Sequence, residues 1–197
     1  MARVILYGAL AWAVAAATDP DFDIYVQATG GYSCSLAFQG LTFQCSLGRN
    51  GVVPAEDKVE GDGSTPAGAY PIRRVFYRAD RVPAPNTYLE ANATRSDYGW
   101  CDDSEAPTYN EFVYLPTPYS HEDLYLNSSY YDLLGVIGYN DDPPVPGKGS
   151  AIFFHVTPDY GSTSGCVAMH VDNLTWVLSQ VLPGSKIHIS AEVPPSS

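Results

Sequence analysis

The chain has 197 residues, and its 10 Lys and Arg against 22 Asp and Glu give a formal charge of -12. A surface of that sign repels phosphate backbones and anionic lipid heads, which argues against nucleic acid as a partner. A chain of this length suits one domain that buries about 70% of the surface its unfolded form would expose, so folding does not depend on cross-links.

The chain opens with MARVILYGALAWAVAAATDP, in which Arg3 precedes an apolar run from Val4 to Ala17 that ends in small residues before Thr18-Asp19-Pro20. That pattern predicts a secretory signal peptide at residues 1–17, leaving 18–197 as a single domain. The competing reading is an N-terminal helix packed on the domain. Beyond this segment no apolar run is long enough to cross a bilayer. Fifteen tyrosines, sixteen prolines and seventeen glycines, with few helical periodicities, predict a mainly β fold of short strands and turns.

The stretch CSLAFQGLTFQC reads as a hairpin turning at Gln39-Gly40. That register sets Phe38 against Leu41, Leu36 against Phe43 and Cys34 against Cys45 on one face. In an oxidising compartment such a pair can form a bridge that contributes about 3 kcal/mol. Two buried thiols are the alternative, because directly opposed strand cysteines strain a bridge. If Cys34 and Cys45 pair, Cys101 and Cys166 either bridge each other or are both free.

Farther along, EGDGSTPAG lacks the Gly-Lys-Ser/Thr ending of a phosphate loop and reads as a structural turn. The aspartate pairs at 102–103 and 141–142 diverge from each other and read as solvated or turn-capping groups, and no metal site is expected. His121 has no partner at metal spacing. Tyr139 and Asn140 are candidates to line a cleft, because the next strand starts shortly after them. The sequons at Asn92, Asn127 and Asn173 would carry N-glycans in a eukaryotic host.

The segment GSAIFFHV is a predicted buried strand, with Ile152 and Phe154 on one side and Phe153 and His155 on the other. The turn formers of TPDYGSTSG follow, and then Gly165-Cys166. A glycine before the cysteine permits positive φ and lets amide N–H groups aim at an incoming carbonyl. The order is that of base, loop and nucleophile. VDNLTWVLSQVLPG is the clearest helix, with Asp172 as its expected cap and Pro183-Gly184 as its stop. KIHIS alternates as a last strand. The element order fits a β-sandwich with a helix on one face.

His155 with Thr163-Ser164-Gly165-Cys166 resembles the signature of the L,D-transpeptidases, the YkuD-type catalytic domains. KVEGDGSTPAGAYPIRR (58–74) resembles the upstream Thr-Pro-x-Gly-aromatic segment of that family. GYNDDPPVPGKGSAIFFHV (138–156) and GWCDD (99–103) look like one divergent bacterial branch of it. The resemblance covers about residues 31–190. It implies a YkuD-like β-sandwich with a helix after the catalytic cysteine.

It further implies acyl transfer on peptidoglycan stem peptides, without a cofactor, by a secreted, periplasmic or wall-associated protein. Cys166 would be the nucleophile and His155 the base, oriented by a backbone carbonyl near Val156. The amides of Gly165 and Cys166 would form the oxyanion hole, and Ser164 would line the substrate site. A hydrolase with the same dyad, or a silent wall-binding domain, shares the pattern. Three departures stand out. Ser164 replaces the family's usual second histidine, Val167-Ala168-Met169 lacks the usual arginine after the cysteine, and the His-to-Cys loop is short. His170 is the candidate replacement for the missing positive group.

Overall fold

A computed structural model describes residues 22–191. The expected signal peptide, residues 1–17, lies outside the described residues. Strands β1 (Ile24–Gly30), β2 (Ser33–Phe38) and β3 (Leu41–Ser46) form an antiparallel meander. The short parallel pair β4 (Val52–Val53) and β5 (Thr65–Pro66) pins the loop between them. The long β6 (Gly68–Tyr77) carries β7 (Ala91–Ala93) on its edge. A separate sheet is made of β8 (Tyr98–Cys101), β9 (Phe112–Tyr114) and β10 (His121–Asp123), with β8 central. Then come β11 (Leu133–Ile137), β12 (Phe153–Val156), β13 (Val167–Met169), α1 (Val171–Gln180) and β14 (Lys186–Ser190).

The main sheet runs β11-β12-β13-β3-β2-β1-β14-β6-β7, and β11 also pairs with β6. The sheet therefore closes on itself around one core, and the layers of the predicted sandwich are joined through shared strands. This is the mainly β architecture, with one helix after Cys166, that the sequence predicts.

Alternation along β12 and β13 divides the apolar residues between two compartments. Phe154, Val156, Val167 and Met169 enter the main core with Leu174, Val177 and Leu178 of α1. Each such burial stabilises by roughly 1.5–3 kcal/mol. Phe153 and Cys166 face the other way, into a second cluster with Phe76, Trp100, Leu124, Tyr131, Leu134 and Val136. The three-stranded sheet helps to cover that outer face, with Trp100 edge-on to Phe153 at 5.4 Å between centroids. Gly135 lets α1 approach β11, since a Cβ there would meet Leu178 Cδ2 at 3.3 Å.

The hairpin has the predicted register, and Cys34 and Cys45 are bonded, with their Cα atoms 4.9 Å apart. Cys101 and Cys166 are free and buried. The helix begins at Val171, two residues earlier than a cap at Asp172 would set: His170 occupies the N-cap position without a side-chain hydrogen bond, and Asp172 lies in the first turn. There its charge favours the helix dipole without capping an amide. Among the described residues no helix is long and apolar enough to cross a membrane.

Candidate active site

The parallel pairing of β12 and β13 sets Phe154 against Val167 and His155 against Ala168. Laterally paired residues share a face, so Cys166, one position before Val167, emerges on the same outward face as Phe153 and His155. Their separation in sequence is removed by the loop, which returns the chain to the strand next door.

That loop is held from behind. The Thr163 amide donates to the Leu47 carbonyl and the Arg49 amide to the Thr163 carbonyl, both at 2.9 Å. Thr163 Oγ1 donates to the Cys166 carbonyl at 2.7 Å and accepts from the Gly165 amide at 3.1 Å. Gly165 has φ +142°, and a Cβ on it would lie 2.9 Å from the Ser64 carbonyl oxygen. A side chain is excluded there on both conformational and steric grounds.

Cys166 Sγ donates to the Ala151 carbonyl and accepts from the Phe153 amide, each at 3.3 Å. Burial pushes the thiol up to about 12; the Phe153 amide and the charge of Lys58 act against this, and Glu122 adds to it. Burial likewise pushes the His155 imidazole down to about 4, opposed by its contact with the Val156 carbonyl. That contact, at 2.8 Å from Nδ1, assigns the proton to Nδ1 and leaves Nε2 as the basic nitrogen. The expected orienting carbonyl is thus present. Tyr131 stands edge-on to the imidazole at 5.4 Å and Tyr130 at 6.2 Å, fixing its plane.

Both side chains line one cavity of about 460 Å³, which Ser164 also borders. Tyr139, Asn140 and His170 do not border it. Tyr139 is buried, with its hydroxyl on the Lys148 carbonyl at 2.5 Å. Asn140 organises the following turn, accepting from the Val145 amide and donating to the Gly149 carbonyl, both at 2.8 Å. His170 stands at the start of α1 beside Asp172. These three have structural work in the positions they occupy.

The cavity also draws on Arg49, Lys58, Glu60, Glu122 and Tyr131, none of them a site candidate from sequence, and on Asp102, which was expected to be a solvated or turn-capping carboxylate and is instead half-buried at the cavity wall. Lys58 is buried and binds Asp62 Oδ1 and the Val59 carbonyl, both at 2.8 Å. Glu60 Oε2 accepts from Ser150 at 2.7 Å and from Tyr109 at 2.5 Å. Burial raises the Glu122 carboxyl, Asp102 and Asp123 add to the effect, and the Tyr131 hydroxyl opposes it from 3.2 Å. Lys58 and Glu60 open KVEGDGSTPAGAYPIRR and Asp102 lies in GWCDD, both segments that carry the family resemblance; Arg49, Glu122 and Tyr131 have no such local signal.

Asn110, not a candidate from sequence, holds the residue whose carbonyl accepts from the Cys166 thiol. Its Oδ1 accepts from Trp100 Nε1 at 2.9 Å and from the Ala151 amide at 3.0 Å, while Nδ2 donates to the Tyr139 and Asn140 carbonyls. Ala151 sits at φ +51°, a conformation costly for a residue with a Cβ. Asn110 thereby fixes the backbone whose carbonyl receives the thiol.

Against known families, residues 37–189 match the YkuD family, described as the L,D-transpeptidase catalytic domain. The chain belongs to this family. Solved structures that this chain matches include Mycobacterium tuberculosis L,D-transpeptidase 1, at 15% identity and TM-score 0.36, over 85% of this chain and 61% of that one. L,D-transpeptidase 3 from the same organism, in complex with a faropenem-derived adduct, matches at 14% identity and TM-score 0.38, over 86% and 60%. An L,D-transpeptidase from Mycobacterium smegmatis matches at 12% and 0.34, over 86% and 59%. The chain thus spans about three fifths of the length of these structures. No curated protein matches.

Proposed function

We propose that this protein is a secreted L,D-transpeptidase-type cysteine acyltransferase acting on peptidoglycan stem peptides. The observation that carries the reading is the placement of Cys166 and His155 on one face of adjacent parallel strands, at one cavity, with His155 Nδ1 committed to the Val156 carbonyl. Membership of the L,D-transpeptidase family supplies the substrate class.

In the proposed reaction Sγ attacks the carbonyl of the diamino-acid residue while the thiol proton passes to His155 Nε2. The Sγ–C bond forms, and the carbonyl π electrons move onto oxygen. Amides of Gly165 and Cys166 receive that charge, with the Gly165 N–H exchanging Thr163 Oγ1 for the oxyanion. On collapse the C–N bond breaks, and the imidazolium returns its proton to the departing amine of the terminal D-amino acid. An acceptor amine then attacks the thioester and gives a proton to His155, which passes it to the leaving thiolate. Water in place of the amine makes the same cycle a hydrolysis.

Incubation with a disaccharide-tetrapeptide followed by mass spectrometry tests this. We expect a Cys166 adduct lacking the terminal amino acid, none in Cys166→Ala, and formation slowed about 10²–10⁴-fold in His155→Ala. The burial of the thiol favours a second reading, a wall-binding domain without turnover, and an unmodified wild-type protein that still binds the wall fragment would establish it. Released products separate transfer from hydrolysis. Secretion rests on the first 17 residues and would be tested by N-terminal sequencing of the exported protein. If the host glycosylates, Asn127 is the exposed acceptor, whereas Asn92 and Asn173 are half-buried.

A further inference from the structure

The molecule pairs its arginines with carboxylates almost throughout. Arg73, Arg74, Arg78, Arg81 and Arg95 bind Asp141, Glu90, Asp80, Asp132 and Asp97 respectively. Arg49 is the exception among the described arginines, in a protein with 22 acidic residues. It borders the cavity of Cys166 and His155.

Its position is built. The backbone of Arg49 donates to the Thr163 carbonyl at 2.9 Å, so it is tied to the loop that delivers Cys166. The guanidinium reaches Ser164 Oγ through Nη1 at 3.4 Å and the Gly61 carbonyl through Nη2 at 3.3 Å. The remaining N–H bonds of the fork have no partner among the described residues. Gly63 makes room for it: a Cβ at that glycine would fall 2.5 Å from Arg49 Cζ. Lys58, the other cation of the cavity, is already engaged by Asp62 and the Val59 carbonyl. Glu60, Asp102 and Glu122 are the acidic groups of the lining and disfavour an anion beside them. Arg49 is therefore the cavity cation with donors still free, and it adjoins Ser164, two residues before Cys166.

We propose that Arg49 is the specificity-determining residue that binds the terminal α-carboxylate of the peptide whose bond Cys166 breaks, so that the protein selects donors ending in a free carboxylate. The inference deepens the acyl-transfer reading and rests on it for the identity of the ligand. A planar fork matches a carboxylate with two parallel N–H bonds, which a lysine at the same point cannot reproduce.

The test compares Cys166 acylation by a disaccharide-tetrapeptide acid with acylation by its C-terminal amide, and Cys166 alkylation by iodoacetate with alkylation by iodoacetamide. Wild type should prefer the acid over the amide by about 10–100-fold. Arg49→Gln should bring that ratio close to one and lower the iodoacetate-to-iodoacetamide ratio, Arg49→Lys should retain part of both, and Arg95→Gln should keep both ratios. Ratios unchanged in Arg49→Gln overturn the inference. If wild type is acylated by neither peptide, the acyl-transfer reading fails by itself, and the alkylation ratio still decides whether Arg49 receives an anion beside Cys166.

Discussion

His155 and Cys166 rest as a neutral pair, because burial pushes the imidazole down to about 4 and the thiol up to about 12. In the proposed reaction, proton transfer then accompanies attack instead of preceding it. Alkylation of Cys166 by iodoacetamide should rise by about tenfold per pH unit between pH 7 and 10, following the thiolate fraction. A plateau reached by pH 7 would instead show a preformed ion pair. The same burial bears on stability. Unfolded His155 titrates near 6.5 and folded His155 near 4, so between those values the unfolded chain binds more protons and stability rises with pH. Acidification from pH 6.5 to 4 should cost about 3 kcal/mol from this group, read by urea unfolding, and His155→Gln should lose that dependence. Gly165 belongs to the same scale: Gly165→Ala should abolish Cys166 acylation, since its Cβ meets the Ser64 carbonyl.

Single elements hold the pair by longer routes. Asn110 precedes β9, yet its amide joins Trp100 of β8 to Ala151 ahead of β12. Asn110→Ala leaves buried N–H and C=O groups without partners and should lower unfolding free energy by roughly 2–4 kcal/mol. It should also alter Cys166 alkylation, because the Ala151 carbonyl is no longer held on the thiol. The β2–β3 hairpin acts differently. Its bridge closes a sequence separation of 11, and Cys34→Ala with Cys45→Ala should cost about 3 kcal/mol in urea unfolding. Because Ser46 of β3 pairs with Ala168 of β13, this hairpin also backs the strand that follows the nucleophile.

At the level of the whole molecule, closure through β11 unites the two compartments. Leu134 lies in register with Phe76 on one side and His155 on the other, and is 1% exposed. Leu134→Ala should destabilise by roughly 2–5 kcal/mol by opening a cavity beside His155 of β12. The charge of -12 is a second global term. Self-repulsion at that charge should make the melting temperature rise as sodium chloride is raised from about 20 to 200 mM, with screening as the cause.

Periodicity and turn chemistry in the sequence determined the β2–β3 register, the alternation that sends Phe153 and His155 outward, the helix after Cys166 and the mainly β class. These are local properties: a period of two, a Gln-Gly turn and an apolar helical stripe act on neighbours in the chain. His155 and Gly165-Cys166 were legible by another route, the resemblance of several ordered segments to the L,D-transpeptidase family, since their spacing alone is a weak signal. Tertiary structure alone decided the rest of the cavity. Arg49, Asp102, Glu122 and Tyr131 reach it from separate elements through a closed sheet and a second sheet, and no local pattern encodes such meetings. Tyr139 and Asn140 show the converse. Closeness in sequence to the catalytic strand did not bring them to the cleft, because the backbone between them and β12 turns through Gly147 and Gly149 at positive φ and consumes their polar groups.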